Sequence, residues 1–357
     1  METSIIRSVE ELYAFEKQWR DLLLHVEKPE IFASWEWLQA YVRHLLDPKK
    51  ELFIIVVTDQ DKCVAIAPLC KVSQRIKWRT VNALQFIVYD TGESNNFYFH
   101  REYHGKKLVK MISGVLLEHQ DEWEWIELYS LQSNNPNTAL IKQTFSEQFE
   151  LYERQLSSTP YIDKDTYLLQ KIDKSKIKDI ERRERKLRRE HEVKIRLNQP
   201  YDERIWDNFS ALHKQRWQDS LLNKADHEAF IKEIIHTREQ NTHFSYIEID
   251  GQIAVGNLDV SYGDKVYLYM MASPKLYAEY GLGLILTNHV VKSYLDSDLR
   301  EIDFLSGNQE YKFYWADSIK INYHFRMFNR SRKRKLLRAY SLFQIIKPRL
   351  KSLLLSR

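Results

Sequence analysis

The stretch from Lys265 to Trp315 constrains the fold most, because it reads in order as strand, glycine loop, helix, strand and helix. Val266 to Ala272 is an aromatic and aliphatic run of strand length, and Ser273-Pro274 stops it by removing a ladder donor. Gly281-Leu282-Gly283 then opens a breaker-free apolar segment, Leu284 to Leu295, that suits a helix. Backbone N–H groups at a helix start lack partners and sit at the positive end of the dipole, so two glycines there let a pyrophosphate approach. A dinucleotide-binding turn would need a third glycine where Leu286 stands, and no Gly-Lys-Ser/Thr phosphate loop occurs here.

That succession of elements resembles the segment with which GNAT acyltransferases hold acyl-coenzyme A. Asp303-Phe304-Leu305-Ser306-Gly307, followed by Tyr311-Lys312 and Trp315, is similar to the D-F-L-x-G-x-x-x-Y-K-x-x-W signature of CelD-like acetyltransferases, which are associated with bacterial cellulose and exopolysaccharide genes. The resemblance implies acetyl-coenzyme A as co-substrate, held around Gly281, Leu282, Gly283, Leu284 and Asn308. It also implies that a backbone N–H near Met270 or Met271 polarises the thioester, with a sugar or polysaccharide-type acceptor beside Lys312, Trp315, Arg216 and Trp217. Ala278 departs from the pattern, standing where the family's phosphate loop begins with Arg or Gln.

Direct acyl transfer needs an acceptor deprotonated, a thioester carbonyl polarised and a thiolate protonated. The sequence has no Gly-x-Ser-x-Gly elbow and no Cys-His spacing that would supply an enzyme nucleophile. Asp303, on an otherwise apolar strand, is the first candidate for general base or acceptor orienter, with Glu310 the next carboxylate. Its plain alternative is an ion pair with Lys312. Tyr311 and Tyr314 compete as proton donor, although a stripe with Trp315 at this spacing also suits core packing. His213, beside Arg216 and Trp217, is a further catalytic candidate.

The order helix, helix, hairpin, strand, helix, strand, helix occurs twice, at an offset of about 180 to 190 residues, which indicates two tandem GNAT-like domains of α/β class with mixed sheets. The expected bounds are 1–160 for a first domain without cofactor, 161–330 for the acyl-coenzyme A-binding domain, and 331–357 for a basic amphipathic tail. In the first half a first helix over Ile5 to His25 starts from Ser8 and Glu11 as a capping box, and a lone Gly105 replaces the Gly-x-Gly. Between the halves, 174–190 carries nine Lys or Arg against four acidic residues and places Ile177, Ile180, Glu184 and Leu187 on one narrow helix face. A solvated linker helix and a phosphate or acceptor contact through Arg182 and Arg189 both fit it.

Composition excludes other classes. The chain's 357 residues, 43% hydrophobic and 29% charged, suit two globular domains. No apolar run reaches the roughly 18 to 20 residues of a membrane span, the first residues do not read as a secretory signal, and two cysteines with no metal-ligand spacing suit a cytoplasmic protein without a metal. After Asp317 twelve Lys or Arg follow without one acidic residue. That basic end, Arg330 to Arg357, suits attachment to the inner, anionic face of the cytoplasmic membrane or docking on the chain's own acidic body. No recognition motif for DNA accompanies it. A second enzyme class also stays open: tandem GNAT-like domains with a basic helix resemble FemAB-like transferases, which carry an aminoacyl group from transfer RNA to a peptidoglycan precursor. A third possibility is a non-catalytic partner of a polysaccharide assembly complex.

Overall fold

The computed structural model describes residues 1–76, 79–167, 174–273 and 277–328; Pro274 and the basic tail lie outside them. The first half runs β1 (Glu2–Ile6), α1 (Val9–Ala14), α2 (Glu16–Leu23), α3 (Trp35–His44), β2 (Lys50–Asp59), β3 (Lys62–Ile76), β4 (Arg79–Phe86), β5 (Tyr98–Phe99), α4 (Gly105–Glu118), β6 (Trp125–Gln132), α5 (Pro136–Gln148) and β7 (Glu150–Asp163). The second runs α6 (Lys174–Glu190), β8 (Val193–Gln199), α7 (Glu203–Arg216), α8 (Ala225–Thr237), β9 (Thr242–Ile249), β10 (Gln252–Tyr262), β11 (Lys265–Ala272), α9 (Leu282–Leu295), β12 (Glu301–Asp303) and β13 (Ser318–Phe328).

The expected duplication is present as one mixed sheet in the order β1-β2-β3-β4-β6-β13-β7-β12-β11-β10-β9-β8. In each half one neighbouring pair is parallel, β4 with β6 and β11 with β12. The halves exchange their last strands. β13, at the end of the second half, pairs with β6, while β7 of the first half pairs with β12, and β13 and β7 close the seam. Strand β7 therefore runs across the expected boundary at residue 160.

Two local expectations change. The opening helix is shorter, because Glu2–Ile6 pairs with β2 as an edge strand; the Ser8–Glu11 capping box does start α1, and a break at Phe15 separates it from α2. The helix expected after Gly307 is a short 3-10 turn, Glu310–Tyr314.

Helices α4 and α5 cover one sheet face through Leu108, Ile112, Leu116, Ile141 and Phe145. Helices α2, α3, α7 and α8 meet in a core shared by both halves, where Trp37 packs edge-on against Phe230 at 5.2 Å and Phe32 against Tyr267 at 5.7 Å. Helices α6 and α9 pack on a third cluster through Ile180, Leu187, Ile285 and Leu286. The basic helix is thus docked along the face its sequence marks.

A chain of buried charges crosses the seam. Lys320 Nζ on β13 donates to Asp303 Oδ2 at 2.7 Å and Glu301 Oε1 at 2.5 Å, both on β12. Glu30 of the first half accepts from Lys265 Nζ at 2.7 Å and from the Tyr267 hydroxyl at 2.6 Å. Burial alone would neutralise Glu30, but the ammonium groups of Lys265 and Lys320 hold its carboxyl below the usual range. Removing one partner of such a set leaves an uncompensated charge in the interior, so Lys320→Met should cost about 3–5 kcal/mol. Chemical denaturation checks this, and a loss below about 1 kcal/mol would contradict the role given to the network.

Asp259 on β10 is wholly buried and bonded by Asn257 and Tyr294; burial pushes its carboxyl from 3.8 up to about 8. The folded state therefore keeps a proton that the unfolded chain releases near pH 4. The stabilisation is complete below that pH and is lost as pH rises through about 8. Denaturation midpoints of the wild type should fall across this interval, and Asp259→Asn should flatten the fall.

Candidate active site

Strand β11 pairs with β10 along its length, but with β12 only at Lys265, Val266 and Tyr267. A register shift opposite Leu258 and Asp259 leaves Tyr269 as the extra residue on β11. Such a bulge bends a strand and ends pairing on one side. Beyond it Tyr269, Met270 and Met271 stand apart from β12 and line a cavity of about 340 Å³. Asp90, Thr91 and Glu93 of the first half form one wall; His213, Trp217, His227 and Phe230 of the second form another, and Leu305 and Tyr311 complete it. Among the described residues no Lys or Arg lines it.

Burial lowers the pKa of His213 and of His227 below the ordinary histidine value, the latter lowered further by Lys224 and partly restored by Asp90. Both rings are therefore neutral near pH 7 and able to accept a proton. His213 Nδ1 lies 2.8 Å from Ser220 Oγ, whereas His227 Nδ1 is buried with no hydrogen-bond partner among the described residues. The Tyr41 hydroxyl holds Asp90 at 2.7 Å, and the Ser306 backbone N–H and hydroxyl hold Glu93.

The start of α9 lies behind β11. Gly281 adopts φ +66° at the N-cap, and among the described residues no side chain caps the helix. A Cβ on Gly283 would meet Met271 Sδ at 3.1 Å and Ser273 Oγ at 3.2 Å, so glycine is what lets helix and strand approach here. Arg183, from the basic helix, brings Nη1 to 3.4 Å of the place a Gly281 Cβ would occupy, while its Nε bonds Asp179 at 2.7 Å. A guanidinium thus stands at an uncapped helix start, the donor set that phosphates require.

The candidates from sequence separate into two groups. His213, Trp217, Met270, Met271 and Tyr311 come together at the cavity, and Arg216 lines an open depression that shares His213 and Trp217. Gly281, Leu282, Gly283 and Leu284 form the helix start. Asp303 is not at the cavity. Lys320 takes Oδ2 and the Leu305 N–H takes Oδ1 at 2.7 Å, which leaves it no place as a general base and gives it Lys320, not Lys312, as its ion-pair partner. Glu310 is largely exposed beside Lys176 and bonded by the Tyr314 hydroxyl at 3.5 Å, so both point away from the cavity walls. Asn308 accepts from Ser158 Oγ at 2.8 Å and ties its loop to β7.

Lys312 is buried and donates to the carbonyls of Leu305 and Ser306 at 3.1 and 2.9 Å. Trp315 is buried too; it stacks on Phe304 and donates to Asn288 at 3.3 Å. The Asp303-to-Trp315 signature is therefore a clasp that fixes the loop carrying Leu305 and Tyr311. Arg182 pairs with Asp179 and Arg189 is exposed, so the basic helix contributes Arg183 instead.

Sequence reasoning missed Asp90, Glu93, Arg183, His227 and Tyr269. The loop 90–96 was readable as a loop, but nothing in it said that it faces the other half.

Comparison with known proteins bears on the fold. Residues 174–313 match the family described as an acetyltransferase (GNAT) domain. No curated protein matches the chain. Among solved structures, FemX superposes with TM-score 0.59 at 11% identity, covering 97% of this chain and all of that one. A conserved protein of unknown function from Bacteroides thetaiotaomicron gives 0.56 at 9%, covering 91% and 100%. A tandem GNAT protein from the clavulanic acid biosynthesis pathway gives 0.50 at 9%, covering 92% and 100%. The second half thus carries a GNAT acetyltransferase domain in a tandem GNAT fold, and the protein is an acyltransferase. Among the described residues no helix is long and apolar enough to cross a membrane.

Because a side chain at positive φ is strained by roughly 1–2 kcal/mol, Gly281→Ala should lower stability by about that amount while Gly114→Ala, with open space around it, should not. Parallel melting curves check the contrast.

Proposed function

We propose that the protein is an acyl-coenzyme A-dependent N- or O-acyltransferase acting on a sugar or polysaccharide-type acceptor in cell-surface polysaccharide biosynthesis, with transfer in the cavity between the halves. The observation that carries this is the juxtaposition of an uncapped, Arg183-flanked helix start with a splayed strand that opens on that cavity. The resemblance of the Asp303-to-Trp315 signature to CelD-like acetyltransferases supports the acceptor class. So do Trp217, Tyr269 and Tyr311, whose rings suit the faces of sugars, and Asp90 and Glu93, which accept hydroxyl or amine protons.

The residues present fit coenzyme A, which when bound supplies a thioester-activated acyl group. The first N–H groups of α9 and Arg183 hold its phosphates, Arg183 standing in for the cation that Ala278 lacks. Backbone N–H on the bulged end of β11, at Met270 or Met271, meets the acyl carbonyl oxygen. His227, neutral and with a free Nδ1, takes the acceptor's proton, with His213 behind it. Tyr311 gives a proton to the departing sulfur. The basic stretch Arg330 to Arg357 would bring the protein to an anionic membrane surface, where such acceptors are assembled.

A second reading is a FemAB-like transferase using charged transfer RNA, favoured by Ala278 and by the likeness to FemX over nearly the whole chain. Calorimetry with acetyl-coenzyme A and a gel shift with charged transfer RNA separate the two. Acetyl-coenzyme A should bind, Arg183→Ala should weaken binding about tenfold, and His227→Ala should lower kcat by about 10² or more with KM for acetyl-coenzyme A unchanged. Absence of binding at millimolar acetyl-coenzyme A together with retardation of charged transfer RNA would replace the first reading by the second.

A further inference from the structure

Helix α4 is the first half's counterpart of α9: each lies in the chain between the two strands of its half that pair in parallel, β4 and β6 or β11 and β12. The start of α4 also opens on a cavity, of about 140 Å³, remote from the one between the halves and closed on its other side by the start of α5. No side chain caps α4, although His104 precedes it. Gly105 opens the helix where any Cβ would meet Leu140 Cδ1 at 2.7 Å, so the two helix starts are held close together.

A second observation points to a ligand here. His100 lines the cavity and is wholly buried. Its Nδ1 accepts the Glu102 backbone N–H at 3.3 Å, which puts the ring proton on Nε2. That Nε2–H is a buried donor without a partner among the described residues. An orphaned buried donor is unfavourable, a cost that a ligand's acceptor oxygen removes. His25 stacks on the ring at 4.5 Å and fixes its plane. Two cations, Lys28 and Arg101, lie in the same lining against one carboxylate, Glu27.

We propose that the first half binds a small oxyanion, a phosphate or sulfate group, between His100 Nε2–H, the free N–H groups at the start of α4, and Arg101. The second half likewise presents a helix start without a side-chain cap, at α9, with Arg183 as the cation. The first-half cavity takes the anionic group, free or at the end of a larger molecule such as a phosphorylated sugar.

The test is calorimetric titration of the full-length protein with inorganic phosphate and, separately, glucose 1-phosphate, at constant ionic strength set with chloride. Arg101 is at the surface, so Arg101→Ala should fold normally and should weaken the first-half site about tenfold or more. Arg183→Ala, which removes the second-half cation, should leave one phosphate site. Glu27→Gln should tighten it. In crystals soaked with tungstate, density should lie within hydrogen-bond reach of His100 Nε2 and Gly105 N. Equal affinity for the two ligands identifies the isolated anion as what is recognised; tighter binding of glucose 1-phosphate identifies a tethered one. The proposal is overturned if phosphate binding disappears entirely in Arg183→Ala, if it is unchanged in Arg101→Ala, or if tungstate leaves the first-half cavity empty and shows an adventitious ion only elsewhere.

Discussion

A buried ammonium, Lys320, stands at the seam where the two halves exchange strands. It lies on β13, the last described strand, wholly out of water, between carboxylates of β12, the strand before it. An unpaired charge there would cost several kcal/mol, so β13 can occupy its place only with Asp303 and Glu301 opposite. Glu30 and Lys265 extend the same chain of charges into the first half's helical layer. Strand exchange makes the seam; the ionic chain sets its register, since sliding β13 by one residue would turn Lys320 to the other face.

The site inherits its geometry from that seam. Asp303 does not reach the cavity, yet it bonds the Leu305 N–H and so shapes the turn in which Leu305 takes φ +58°, an uncommon conformation for a leucine. Lys312 closes the turn on the carbonyl side. Leu305 and Tyr311 are thereby presented to a space whose opposite wall is loop 90–93 of the other half. A residue set that reads in sequence as catalytic is thus the frame on which the chemistry is hung. In the proposed mechanism, neutral histidines on α7 and α8, with a bulged strand edge, supply the reactive groups.

Much of this was legible from the residues. Strand β11, the glycine start of α9, the capping box at Ser8 and the duplicated order of elements all show in local pattern, because each depends on neighbours within a few positions. Strand β7 did not show: its alternation is broken by charges and by Pro160, and it is a strand because β13 and β12 offer backbone partners on both sides. The role of Asp303 was misread for a related reason. Its environment comes from Lys320, which no spacing rule brings beside it. Arg183 and His227 stood on helices that the sequence reveals, but only tertiary packing turns one toward the glycine loop and the other toward the cavity.

The account stands or falls on where the acyl donor lies. A crystal structure of the full-length protein with coenzyme A measures this directly. The account places the pyrophosphate at Gly281 to Gly283 within reach of Arg183, and the thiol between β11 and β12, against Met270 or Met271, pointing into the cavity that His227 and Tyr311 line. Coenzyme A bound with its thiol outside that cavity, or away from the start of α9, would contradict it.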